Sequence, residues 1–279
     1  MNGRIDNITL KGFKTIGDLT EFRPGPINLF IGPNGAGKSN FISFFRLLSW
    51  MMRGDLQQHV GSQGGASALL HKGAEVTRTV EAKLSLRTDR GENEYEFWLG
   101  HAAGDTFIFN NERYRFSAAD FPGKADWTEL DAGHREARIV ERAEQGEPTA
   151  RVIRGLIRNC IVYQFHNTSD NARIRQKWSA DDNTLLKEDG ANLAPFLLRL
   201  QEEYPLYYHR IVEHLRLVLP FFKDFEITRD RFGFAILRWS ERHNDMVFSA
   251  SQAADGMIRC MAMIALLGQP EDQCFVQLL

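Results

Sequence analysis

Apolar residues along the chain follow two periods, and the switches between them mark the elements. Residues 3–12, with Ile5, Ile8 and Leu10, and residues 16–22 alternate well enough to predict two strands. Pro24-Gly25-Pro26 then turns the chain, and I-N-L-F-I (27–31) is a short, nearly continuous apolar run, the pattern of a strand buried on both faces. A glycine-rich loop follows, and F-I-S-F-F-R-L-L-S-W-M-M predicts a buried helix. Residues 54–75, rich in Gly, Ser and Gln, predict loop with a little helix. From 76 to 116 the period becomes two (Val80, Ala82, Leu84, Leu86; Tyr95, Phe97, Leu99; Phe107, Phe109), with D-R-G-E-N, A-A-G-D and N-N-E as turns. That predicts an antiparallel meander inserted in a larger fold.

Residues 134–158 predict one or two polar helices broken near Gly146 and Pro148, and C-I-V-Y-Q-F (160–165) another buried strand. Asn192 is a good N-cap for a helix over 193–203, with Pro195 tolerated in its first turn. Pro205 opens the next helix, which ends at Pro220. Strands at 225–229 and 234–239 and a helix from about Gly256 to Leu267 follow, and C-F-V-Q-L-L (274–279) reads as one more buried strand.

Composition adds exclusions. The 279 residues, 43% hydrophobic and 25% charged, suffice for one large domain or two small ones. A net charge of -2 announces neither a nucleic-acid nor a membrane partner. Three widely spaced cysteines without a CxxC pair argue against a disulfide framework or a zinc site and for a reducing compartment. No signal-peptide run opens the chain, and the apolar stretch from Cys260 to Leu267 is too short to span a bilayer. The expectation is a cytoplasmic protein. Residues 134–177 hold nine Lys or Arg against five acids, and Arg151, Arg154 and Arg158 share a helix face. Such a face either follows a phosphate backbone or is simply solvated.

The strongest chemical signal is G-P-N-G-A-G-K-S, Gly32 to Ser39, which fits G-x-x-x-x-G-K-[ST] at every fixed position between an expected strand and an expected helix. Glycines at 32, 35 and 37 let the backbone wrap a phosphate, and successive N–H groups at a helix start face the anion. The cofactor-binding set is Gly32, Pro33, Asn34, Gly35, Ala36, Gly37, Lys38, Ser39 and Asn40. In this chemistry Lys38 reaches the β- and γ-phosphates of ATP and the Ser39 hydroxyl holds Mg²⁺.

L-K-G-F-K-T-I-G-D near the start, then I-G-P-N-G-A-G-K-S-N-F, resembles the ATPase heads of the SMC/RecF-like ABC class. More narrowly the chain is similar to the bacterial AAA-family predicted ATPases related to the overcoming-lysogenization-defect ATPases. F-H-N-T-S-D-N-A-R-I (165–174), D-D-N-T-L-L-K-E-D-G-A-N-L-A-P-F-L (181–197) and S-Q-A-A-D-G-M-I-R (251–259) carry the narrower resemblance. It implies an α/β P-loop NTPase of ABC-head type with an antiparallel β insertion and a helical lobe. One head would cover 1–279: 1–53 with the phosphate loop, 54–133 as the β-rich insertion, 134–225 as the helical lobe with a core strand, and 226–279 with the signature helix. It implies that Asp255 and Gly256 stand in the signature that meets the γ-phosphate on an opposite subunit, where Ala253, Ala254 and Met257 replace the expected Leu, Ser and Thr. It implies a glutamine after a core strand as a ligand of Mg²⁺ or water, so Gln164 joins Lys38 as a catalytic candidate and Ser39 as a metal candidate. His166 and Asn167 are alternatives, and all three equally fit a strand end and turn. Lys11 and Lys14, flanking Phe13, are either near the nucleotide or surface lysines. Finally, 274–279 resembles the Walker B strand, stopping before its acids, so this chain would bind ATP and hydrolyse it slowly.

Three functions are compatible with these features. An ATPase head that dimerises around Mg-ATP and couples to a DNA or nuclease partner, in repair or phage defence, is what the resemblance implies. A nucleotide-binding switch with little or no hydrolysis is favoured by the altered signature. A metabolic P-loop kinase fits poorly beside the β insertion and the signature-like segment.

Overall fold

Alternation in the first residues produces the two strands it predicts, and they pair as a hairpin. β1 (Gly3–Phe13) pairs antiparallel with β2 (Ile16–Phe22), and Lys14, at φ 49°, turns the chain between Phe13 and its partner Ile16. The computed structural model describes residues 3–120, 123–158, 160–270 and, for the backbone, 276–278. These divide into two compact units, one running to Val162 and rejoined by 276–278, the other beginning at Tyr163.

In the first unit the meander continues the sheet of the hairpin. β3 (Thr79–Thr88), β4 (Gly91–Ala102), β5 (Thr106–Ala118) and β6 (Thr128–Glu129) complete six antiparallel strands in the order β2-β1-β3-β4-β5-β6. One face carries Ile8, Leu10, Leu84, Tyr95, Phe97 and Phe109 into a core shared with the helices. Those helices are α1 (Lys38–Met51), α2 (Leu56–Ser62), α3 (Arg138–Glu144) and α4 (Pro148–Arg158). β7 (Cys160–Val162) adds Cys160 and Val162 to the same core.

The other face of the sheet is charged yet buried at Glu94. Burial raises the pKa of this carboxyl, but hydrogen bonds from Arg115 (2.5 Å), Lys124 (3.0 Å) and the ion pair with Lys83 (3.1 Å) outweigh it and hold the value at about 2. A carboxylate depressed on folding stabilises above its unfolded pKa, about 4.3, and loses that contribution as pH falls toward 2. Glu94→Gln is therefore expected to cost about 2–3 kcal/mol at pH 7, with the gap to wild type closing between pH 4.5 and 2. Urea unfolding at pH 7 and pH 3 checks this; an equal gap at both would contradict it.

Helix ends in this unit are capped from a distance. Ala137, the N-cap of α3, has no side-chain acceptor. Glu112 of β5 takes its place, accepting from the N–H groups of Arg138 (2.9 Å) and Ile139 (3.2 Å). The same buried carboxylate accepts from the Tyr95 hydroxyl and pairs with His134 Nε2, both at 2.7 Å. Glu136 likewise caps α2 at Leu56 and Gln57. At C-termini arginines serve: Arg151 Nε donates to Ala143 O (3.0 Å) and Arg154 Nε to Met52 O (3.1 Å). Two of the three arginines on that stripe are thus engaged inside the unit.

The expected strand over 27–31 is not formed. Ile27, Leu29 and Ile31 are 92%, 81% and 86% exposed, and no neighbouring strand among the described residues takes up their backbone groups. A strand apolar on both faces requires partners on both edges and covered faces, and the sequence run alone supplies neither.

The second unit alternates short strands with helices. β8 (Trp178–Ser179) precedes α5 (Leu193–Glu203) and α6 (Pro205–Val218); β9 (Phe222–Phe225), β10 (Phe234–Ala235), β11 (Arg238–Glu241) and β12 (Val247–Ser249) precede α7 (Asp255–Gly268). β10 pairs with β8, and β12-β11-β9 form a three-stranded antiparallel sheet. The strands expected at 225–229 and 234–239 are displaced to 222–225, 234–235 and 238–241; between them Asp230 Oδ1 accepts from the N–H of Phe232 (2.8 Å) and Phe234 (3.0 Å) and closes a turn. Asn192 starts α5 as expected but does not cap it with its side chain. That side chain, fully buried, accepts from Lys187 N and donates to the carbonyls of Asp182 and Leu185, tying down the preceding loop.

Near the chain's end β13 (Val276–Leu278) pairs parallel with β7, Gln277 opposite Ile161. A strand is therefore present within 274–279, although residues 274, 275 and 279 lie outside the described ones.

Candidate nucleotide site

The phosphate-loop sequence occupies an exposed turn that leads into α1. Gly35 and Gly37 sit at φ 85° and 96°, the left-handed region that disfavours side chains. Gly37 is also the N-cap, and a Cβ there would lie 2.8 Å from Thr15 Oγ1. Around Gly35 the space is open: a Cβ would meet nothing within 4 Å. The Lys38 ammonium donates to the carbonyls of Gly32 (2.7 Å) and Pro33 (2.8 Å), so the cation is held at the mouth of a curled loop. Ala36 N bonds Pro33 O (3.3 Å) across that curl. Ser39 is exposed in the first turn of α1.

The β1–β2 turn braces this loop. Asn40 Nδ2 donates to Thr15 Oγ1 at 2.9 Å, which ties the start of α1 to the residue after Lys14. Lys14 is half-buried; its backbone bonds Leu69 O and His71 Nδ1, and burial, with Arg46 nearby, lowers its pKa. Lys11 pairs with Asp18 at 3.2 Å on the surface. Nothing in the motif singles out Thr15, because its role depends on a contact 25 residues away.

The signature-like stretch lies in the second unit. A short 3-10 turn, Ala250–Gln252, is closed by a capping box between Ser249 and Gln252. Ala253 and Ala254 are extended, and α7 begins at Asp255 with Ala254 as an N-cap lacking a side-chain acceptor. Met257 N and Ile258 N bond Ala254 O, while the N–H groups of Asp255 and Gly256 take no partner among the described residues. A Cβ at Gly256 would meet nothing within 4 Å. The geometry is an uncapped helix start with open space before it.

The residues between β7 and this stretch behave differently from one another. Gln164 lies beyond the strand's end, exposed, with its backbone N–H on Glu188 O (2.7 Å). Asn167 folds an Asx turn, its Oδ1 accepting from Ser169 Oγ (2.9 Å). The His166 carbonyl accepts from Arg259 (2.9 Å). Among the described residues no cluster of His, Cys, Asp or Glu could hold a metal ion, and no helix is long and apolar enough to cross a membrane.

A glycine loop with a lysine at its mouth, at the start of a buried helix, is the arrangement of a P-loop nucleotide-binding domain. The sequence model of the family described as "AAA domain, putative AbiEii toxin, Type IV TA system" matches residues 27–273. The chain belongs to that family. No curated protein matches it. Among the solved structures similar to the chain are the recombination mediator protein RecF with ATP, at 13% identity and TM-score 0.40, over 96% of this chain and 81% of that one, and RecF with ATPrS, at 14% identity and TM-score 0.40, over 96% and 80%.

Proposed function

We propose that the chain binds Mg-ATP on Gly32–Asn40 and pairs with a second copy around it. The observation that carries this reading is the phosphate loop itself, two left-handed glycines and Lys38 at the N-terminus of a 14-residue helix. Fit to the ligand is good: the space at Gly35 is open, and Lys38 can exchange two neutral carbonyls for charged phosphate oxygens. Ser39 would hold Mg²⁺, which neutralises charge on the phosphates and orients them, and Gln164 would supply a further ligand to it or to water. Asp255 and Gly256 would then meet the nucleotide held by the other copy, through N–H groups at the start of α7. Coupling of that state to a DNA or nuclease partner in the cytoplasm, in repair or phage defence, follows the family's likeness.

Light scattering with and without a non-hydrolysable ATP analogue and Mg²⁺ tests the pairing. The expected result is a doubling of mass with the analogue, lost in a Gly256→Phe variant whose ring would fill the open space; an unchanged wild-type mass sinks the pairing. Ala254, where the signature hydroxyl is expected, favours a second reading, a nucleotide switch with little hydrolysis. Phosphate release at or near background with tight ATP binding would select it.

A further inference from the structure

We infer that Arg175 is the positioning residue for the start of α7, and that its guanidinium keeps that helix end receptive to an anion. The inference rests on the proposal that residues 254–257 meet a nucleotide phosphate. Arg175 is 7% exposed, and its terminal nitrogens are directed at one segment, residues 250–255. Nε donates to Thr168 O (2.8 Å). One terminal nitrogen donates to both Ala250 O and Ala253 O, the latter at 2.9 Å, and the other to Asp255 Oδ1 at 2.8 Å. A guanidinium leaves water at a large cost unless its donors are met. Here they are met by Thr168 O, by the carbonyls of the first residue of the 3-10 turn and the residue after it, Ala250 and Ala253, and by the first side chain of α7. Arg259, four residues further along α7, grips the same loop through His166 O (2.9 Å) and Thr168 Oγ1 (3.3 Å). The F-H-N-T and S-Q-A-A-D-G-M-I-R segments are thus one construction, with Thr168 at its centre.

The charge of Asp255 explains why an arginine is needed. Its carboxylate is the first side chain of α7 and 61% exposed, beside the N–H groups of Asp255 and Gly256 that have no partner among the described residues. Left alone, that negative charge would occupy the helix dipole's positive end and repel an arriving phosphate. The ion pair with Arg175 draws it aside and neutralises it. Shaping the turn and cancelling the charge are separable roles, because only the second depends on Asp255 being ionic.

Two measurements test this. Hydrogen exchange read by mass spectrometry needs no ligand: in Arg175→Gln the bonded amides of Ala253, Met257 and Ile258 are expected to exchange about tenfold or more faster, with α5 and α6 at wild-type rates. Unchanged exchange at these three amides overturns the positioning role. The second measurement is association driven by a non-hydrolysable ATP analogue with Mg²⁺. Arg175→Gln should weaken it about tenfold or more while calorimetric ATP affinity at the phosphate loop stays at the wild-type value. Arg175→Lys, which retains charge without the fork, should fall between and covers the case in which the glutamine variant folds poorly. The double variant Arg175→Gln/Asp255→Asn should recover part of the loss, which a purely structural clamp would not do. Association equal to wild type in Arg175→Gln, or no recovery in the double variant, overturns the charge-cancelling role. Failure of the wild type itself to associate overturns the pairing on which the role depends, and the exchange result then still decides whether Arg175 holds the segment.

Discussion

Lys38→Ala is expected to weaken Mg-ATP binding about tenfold to a hundredfold, a loss of about 1.5–3 kcal/mol. The ammonium at the loop mouth holds only the carbonyls of Gly32 and Pro33. Removing it costs the fold little, because the loop is exposed and α1 is anchored by Phe41, Phe44, Leu47 and Leu48 farther along. The same removal costs the complex a charge-assisted contact to each phosphate it would reach. Calorimetry should show the affinity loss while thermal unfolding stays within about 2 °C of wild type, since exposed substitutions rarely change stability by more than ~0.5 kcal/mol. Unaltered ATP affinity would rule out this loop as the nucleotide site.

Glu112→Ala is expected to be the most destabilising single change in the first unit, costing about 3–5 kcal/mol and lowering the melting temperature by about 6–20 °C. Four donors converge on this buried carboxylate: the Tyr95 hydroxyl, His134 and the first two N–H groups of α3. Alanine leaves all of them in the interior without an acceptor, and each orphaned group carries its own desolvation penalty. Burial and the neighbouring carboxylate already push the Tyr95 phenol well above its ordinary pKa, so its proton stays in place to donate. Tyr95→Phe removes one donor together with its need and should cost far less. Equal losses in the two variants, measured by denaturant unfolding, would contradict a role for Glu112 as the shared acceptor.

Much of the candidate site was legible as text. Gly32 to Ser39 form one loop because its chemistry is local: glycines at 35 and 37 allow the turn, and Lys38 and Ser39 open the helix that follows. The alternation at 80–109 likewise predicted the meander, since the two faces of a strand differ in burial wherever it lies. The resemblance put a helix start at Asp255 and Gly256, and α7 begins there.

Elements whose state depends on distant neighbours were not legible. The run at 27–31 has a buried strand's composition, yet Ile27, Leu29 and Ile31 are exposed, because burial is conferred by flanking strands and not by the run. Asn192 had a cap's identity but serves three backbone groups of the preceding loop. Arg151 and Arg154 share a face that reads as a basic surface, and the fold turns both onto helix C-termini.

By itself, then, the sequence determined the phosphate loop, the periods of the strands and helices, and membership of a nucleotide-binding family. Each depends on residues within a few positions of one another, where spacing and backbone preference act directly. Only the tertiary structure decided that Glu112 caps α3, that Thr15 ties down Asn40, and that Arg175 grips residues 250–255. Those pairings join groups 25 to 80 residues apart. Such a partner is chosen by which donors and acceptors the fold removes from water together, a condition that no local pattern encodes.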